Sequence, residues 1–307
     1  MRLGAIAMLA LLALGGCAGA APPVPLSQAA PTIQPISFRD LLARPRQAPD
    51  LKIAYGADPV QFGALWLPRS VSAKPRPVVV LIHGGCWRAD LPGLELMDYL
   101  AADLRDRGLV VWNLEYRRIG HDGGGYPGTF QDIARGIDHL RAFGREQNLD
   151  LTRVVVVGHS AGGHLASWAA ARDRLPMQSP LRLGPALEPR GVVSLAGIND
   201  LAAFRAKGPD RCGGPQTIDD LVRGGSLSSP YADTSPARLG APTRVQWVMS
   251  GDLDPIVPAA FGSDYAGVVK GRAKAVTIPQ AGHFELIDPE STVWKVDVWP
   301  RIERLVR

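Results

Sequence analysis

The sequence predicts an α/β fold, a mainly parallel sheet with helices packed on both faces. Three observations lead there. Short β-branched runs occur without polar alternation, as in Pro77-Val78-Val79-Val80-Leu81-Ile82 and Leu109-Val110-Val111-Trp112-Asn113-Leu114, the pattern of strands covered on both sides. Between them the apolar residues shift to three- and four-residue spacing, which is the helical period. The two patterns alternate along the chain, which puts crossover helices between parallel strands.

Composition narrows the function classes. The 307 residues carry 34 basic and 29 acidic side chains, a net charge of +5, with 46% hydrophobic and 21% charged residues. Such a chain can bury a sizeable core and is not disordered throughout. The positive charge is dispersed, with Arg117-Arg118 as its longest basic pairing between strands, so nucleic acid is not an expected partner.

The N-terminus reads as an address. Arg2 precedes an apolar run over residues 3–14, too short for a hydrocarbon core that takes about 20 residues, so 1–16 is expected to be a signal peptide. Leu14-Gly15-Gly16-Cys17 resembles a bacterial lipobox. That predicts lipidation at Cys17 and a membrane association made only through this anchor, at an outer membrane facing the periplasm. The alternative is cleavage after Ala18-Gly19-Ala20, which leaves a soluble periplasmic protein. Residues 17–35, with Pro22, Pro23, Pro25, Pro31 and Pro35, form a Pro/Ala-rich tether, and the folded domain is expected over 36–307.

Within that domain, residues 60–67 predict an antiparallel edge strand ahead of the strand over 77–82. Leu94, Met97, Leu100, Ala101 and Leu104 lie on one helical face, stopped by Gly108. After the strand over 109–114, Phe130, Ile133, Ile137 and Leu140 line a second helix, with Thr129 and Asp132 spaced as a cap and its reciprocal partner. Further strands are predicted over 154–157, 192–195, 245–249 and 275–278. A loop-rich insert near 199–240 interrupts the alternation with Gly208-Pro209, Gly213-Gly214-Pro215, Gly224-Gly225 and Ser235-Pro236. It is too long for an ordinary connection and is expected to cap a site or decorate the surface.

The chemistry-bearing residues follow strands. Gly158-His159-Ser160-Ala161-Gly162-Gly163-His164 joins a strand to a helix, the context in which a serine between small residues is lifted out of the sheet as a nucleophile. His83-Gly84-Gly85-Cys86-Trp87 follows Ile82. Its two glycines let backbone N–H groups approach a developing oxyanion, so Gly85, Cys86 and Ala161 are the expected donors, with His83 a loop anchor. Of six histidines, His283 in Gln280-Ala281-Gly282-His283-Phe284-Glu285 follows the last strand and is the expected base. Ser250-Gly251-Asp252-Leu253-Asp254-Pro255-Ile256-Val257-Pro258 follows the penultimate strand and resembles the G-x-x-D-x-x-V-P turn that carries the acid in many esterases. That likeness places the acid on Asp254 and leaves Asp252 to shape the turn.

From about Ile53 to its end, the chain resembles an α/β-hydrolase of the esterase branch, related to kynurenine formamidase-like and hormone-sensitive-lipase-like esterases. The order Ser160, Asp254, His283 is that of the class. His83-Gly84-Gly85-Cys86-Trp87 is closer to the formamidase-like H-G-G-x-W than to H-G-G-G. The resemblance implies Trp87 as a pocket wall, with a core anchor as the alternative, and Glu115-Tyr116-Arg117 as a structural brace. It implies a serine hydrolase that cleaves carboxylic esters of small or aryl acyl groups through an acyl-enzyme. The alternatives are an arylformamidase-like amide hydrolase and a non-catalytic envelope-binding lipoprotein. A small-molecule ester is the expected partner, and no cofactor or metal is expected. In an oxidising compartment, Cys86 and Cys212 are candidates for a disulfide.

Overall fold

The apolar runs assemble side by side. The computed structural model describes residues 34–225, 227–240 and 244–307; Cys17, the signal-like run and most of the tether lie outside them. Eight strands, β1 (Leu51–Ala54), β2 (Phe62–Trp66), β3 (Arg76–Ile82), β4 (Val110–Leu114), β5 (Leu149–His159), β6 (Gly191–Leu195), β7 (Val245–Gly251) and β8 (Ala273–Ile278), form one sheet in the order β1-β2-β4-β3-β5-β6-β7-β8. The pairs from β4 through β8 are parallel, while β1 with β2 and β2 with β4 are antiparallel.

One expectation about the edge changes. The run over 60–67 becomes β2, which lies inside the sheet between β1 and β4, and the edge belongs to Leu51-Lys52-Ile53-Ala54. Three of those four residues are exposed, so β1 has no buried run from which to be recognised.

Among the described residues, five short α-helices precede the insert: α1 (Phe38–Leu42), α2 (Asp98–Asp106), α3 (Gly128–Asp138), α4 (Leu140–Phe143) and α5 (Ala161–Ala169). The proposed reciprocal cap on α3 does not form. Thr129 Oγ1 instead donates to the Arg117 carbonyl, and the Asp132 carboxylate takes the Arg117 guanidinium at 2.8 Å and the Gln61 amide at 2.7 Å. A buried ion pair outcompetes the local cap because Asp132 is fully buried and its charge must be matched.

The insert is more helical than its glycines and prolines suggest. It holds α6 (Leu201–Lys207), a 3-10 turn at Asp210–Cys212, α7 (Gly214–Leu221) and α8 (Pro236–Leu239). The punctuating residues sit at helix ends: Asp200 caps α6 through Ala203 N–H, and Pro215 occupies the first turn of α7. Leu201 and Phe204, and Ile218 and Leu221, are the buried faces that drive these helices. After the insert come α9 (Ala260–Val269) and α10 (Trp299–Val306), the latter burying Ile302, Leu305 and Val306.

Helices cover both faces of the sheet. On β6, Gly191 lies against Leu305 of α10, whereas the Ser194 hydroxyl donates to the Gly163 carbonyl of α5. Residues 191 and 194 point to opposite sides of a strand, so α5 and α10 lie on opposite faces. Both layers meet the central strands, where Val78 through Ile82 and Val154 through Val157 are fully buried.

Candidate active site

Ser160 occupies the turn between β5 and α5 with φ 56° and ψ −121°, a conformation that costs a non-glycine residue energy. The surrounding contacts hold it there. Its N–H donates to the Leu195 carbonyl at 2.8 Å, and the first turn of α5 packs on β3 and β5 without room for side chains. A Cβ at Gly158 would lie 2.0 Å from the Gly162 carbonyl oxygen, and one at Gly162 would lie 2.0 Å from that of Ile82.

The two residues expected as acid and base lie together. His283 Nδ1 and Asp254 Oδ2 are 2.6 Å apart, both side chains buried, and Asp254 Oδ1 accepts from the N–H groups of Ile256 (2.8 Å) and Val257 (2.9 Å). The carboxylate is thus oriented by its own turn and takes the Nδ1 proton, which leaves Nε2 as the ring's basic atom. Asp252 is exposed and accepts from Gln280 N–H at 2.7 Å. Leu253 N–H donates to the Ala281 carbonyl at 2.9 Å, so the acid turn and the base loop are tied together.

The loop after β3 presents its amides. Gly85, Cys86 and Trp87 all have positive φ (96°, 50° and 55°). A Cβ at Gly85 would meet the Pro92 carbonyl at 2.8 Å, which restricts that position to glycine. The N–H groups of Gly85, Cys86 and Ala161 find no acceptor among the described residues. Arg118 braces the loop by donating to the carbonyls of Arg88 (3.0 Å) and Leu91 (2.8 Å). Below it, His83 Nε2 meets Glu115 Oε1 at 3.0 Å, and the Tyr116 hydroxyl donates to the His83 carbonyl at 2.9 Å. Burial pushes the Glu115 carboxyl up, but His83, Arg118 and the Tyr116 N–H outweigh it and hold the group at about 2. His83 and Glu115-Tyr116 therefore support the loop from beneath.

Cys86 and Cys212 form a disulfide, with Cα atoms 5.5 Å apart across 126 residues of sequence. The insert is thereby fastened to the loop that presents the amides. At its other end, the insert docks on α5: Trp168 Nε1 donates to the Asp233 carbonyl and His164 Nε2 to that of Thr234, each at 2.8 Å. Burial pushes His164 down to about 4.

A cavity of about 120 Å³ opens beside Ser160. His159, Ser160, His283, Gly85, Cys86 and Arg211 form its polar side, and Phe38, Leu91, Pro92, Leu96, Ile256 and Phe284 its apolar wall. Trp87 is not part of that wall, which decides between the two roles that the sequence left open. Its positive φ belongs to a turn that buries the indole completely, edge-on to His164 with ring centroids 5.3 Å apart. Trp87 is a core anchor. Conversely, sequence reasoning missed Phe38, Arg211 and His159. Phe38 lies far from any motif, whereas Arg211 stands beside Cys212, whose expected pairing with Cys86 was the signal that could have found it. His159 carried a signal, its place inside the elbow, and it donates through Nε2 to the His283 carbonyl at 2.9 Å.

Residues 64–262 match the family model described as BD-FAE. The chain belongs to the BD-FAE family. Among curated proteins, this BD-FAE chain is 27% identical to esterase LipC of Mycobacterium tuberculosis over 78% of its own length, and it spans 61% of the length of LipC. Among solved structures, esterase B from Lactobacillus rhamnosis superposes with a TM-score of 0.73 at 20% identity, covering 88% of this chain and 90% of that one. Est2 of Thermogutta terrifontis, with propionate bound, superposes at 0.66 and 19% identity, covering 83% and 93%. The BD-FAE chain thus has the α/β-hydrolase fold.

Proposed function

We propose that the protein is a serine carboxylesterase that cleaves esters of small or aryl acyl groups. The observation that carries the reading is the cavity itself, where a serine in a strained elbow, a carboxylate-oriented histidine and unpaired backbone N–H groups share one small space. His283, oriented by Asp254, takes the Ser160 proton as the hydroxyl attacks the acyl carbonyl. The amides of Gly85, Cys86 and Ala161 stabilise the tetrahedral oxyanion, where each such donor contributes on the order of 10²–10³-fold in rate. His283 then protonates the departing alcohol, and water repeats the cycle on the acyl-enzyme. The description of LipC as an esterase supports this choice over other reactions of the fold. The apolar wall and small volume favour short acyl chains.

Placement in the cell envelope belongs to the same reading. Leu14-Gly15-Gly16-Cys17 supports a lipid anchor on Cys17, and a disulfide is the form that cysteines take in an oxidising compartment. The test is a hydrolysis panel of acetate, butyrate, long-chain and feruloyl esters beside N-formylkynurenine. Turnover highest on the short or aryl esters supports the proposal, and a preference for N-formylkynurenine would contradict it.

A further inference from the structure

Among the described residues, Arg211 is the one permanently charged side chain that lines the cavity. It sits in the 3-10 turn Asp210–Cys212, immediately before the cysteine bonded to Cys86. Its backbone is therefore held one residue from a crosslink to the loop that carries the Gly85 and Cys86 amides. Arg211 is exposed, and its guanidinium has no carboxylate or carbonyl partner among the described residues. Its neighbours differ. Arg205 takes Asp219, Arg223 takes Asp220, and Arg88 takes Asp90. Among the described residues no acidic side chain lines the cavity, and the Asp254 carboxylate behind it is taken up by His283, so a neutral substrate gains little from the Arg211 charge.

We propose that Arg211 selects esters bearing a carboxylate on the portion of the substrate that extends out of the cavity toward the insert. A guanidinium presents paired N–H donors in the fork geometry that a carboxylate accepts. The apolar wall receives the uncharged acyl or aryl portion while Arg211 meets the carboxylate at the mouth. The disulfide holds the turn that carries Arg211 beside the loop of the Gly85 and Cys86 amides. This selectivity rests on the esterase reading.

The test compares wild type and Arg211→Gln on 4-acetoxybenzoate and its methyl ester, which carry the same acyl group and differ in the leaving-group carboxylate. A second pair, phenyl hydrogen succinate and phenyl methyl succinate, moves the carboxylate to the acyl side. For at least one pair, Arg211→Gln is expected to lower the anionic-to-neutral ratio of kcat/KM about fivefold, the scale of a partly exposed charge pair. The neutral esters should stay within about twofold, and Arg211→Lys should keep part of the ratio. An unchanged ratio in both pairs, with the neutral esters still hydrolysed, would overturn the role of Arg211 and leave the esterase reading standing. No turnover of any ester by wild type would overturn both.

Discussion

His159 Nε2 donates to the backbone carbonyl of His283 at 2.9 Å, so the residue before Ser160 holds the loop that carries His283. The two imidazoles lie with centroids 4.5 Å apart, and burial, then the neighbouring His283, pushes His159 well below its ordinary value. A neutral ring at position 159 gives His283 a fixed support without a competing charge.

The variant His159→Phe should lower kcat about tenfold, the scale of one lost buried hydrogen bond, with a smaller change in KM. His159→Gln, whose amide can donate from a similar position, should recover most of the rate. Steady-state kinetics on a short-chain ester decide the point; equal rates for Phe and Gln would mean that the hydrogen bond does not position His283.

The two aspartates of the acid turn should separate cleanly. Asp254→Asn removes the acceptor that sets the His283 tautomer and is expected to cost on the order of 10⁴-fold in kcat. Asp252→Asn keeps an oxygen for Gln280 N–H and should remain within a few-fold of wild type. Reversed effects would place the acid at the other position.

The motifs were legible because each is local. Ser160 follows the fully buried apolar run Val154 to Val157, His283 follows the shorter and more polar β8 within its own Gly282-His283-Phe284 loop, and Gly85 must be glycine for a reason confined to its own loop. The sequence leaves Trp87 open between pocket wall and core anchor because the same loop allows an indole to point either way, and only the backbone turn decides. Arg211 and Phe38 enter the site through tertiary packing, from a 3-10 turn and a five-residue helix that carry no period. The buried pairing of Asp132 with Arg117 also replaced a local cap with a long-range partner that spacing does not reveal.

Reduction of the Cys86–Cys212 bond is expected to lower kcat more than it raises KM, because the loop amides lose their tether. Closing a span of 126 residues also restricts the unfolded chain, which in the chain-entropy view stabilises the fold by about 3–5 kcal/mol. Thermal unfolding with and without reductant measures this. An unchanged kcat and midpoint after complete reduction would contradict it.

Stability should fall on acidification through three buried groups. His164 moves from 6.5 to about 4 on folding, so between those values the unfolded chain binds a proton that the folded chain refuses. Its contribution is complete above pH 6.5 and is lost as pH drops toward 4, a difference of about 3 kcal/mol. His159, lowered by burial first, acts in the same direction. Glu115, held at about 2 against an ordinary 4.5, adds a further loss below pH 4.5. Urea midpoints from pH 7 to 4 should decline, and His164→Gln should flatten the slope between 6.5 and 4; an unaltered slope would remove His164 from the explanation.

Ser160 as the nucleophile is tested most directly by active-site labelling. A fluorophosphonate incubated with wild type should add one adduct, found by peptide mass mapping on Ser160, with parallel loss of ester hydrolysis. Ser160→Ala should take no label and hydrolyse at near-background rate while keeping the wild-type circular dichroism spectrum. An adduct on a different serine, or a folded Ser160→Ala that still turns over the ester, would contradict the mechanism.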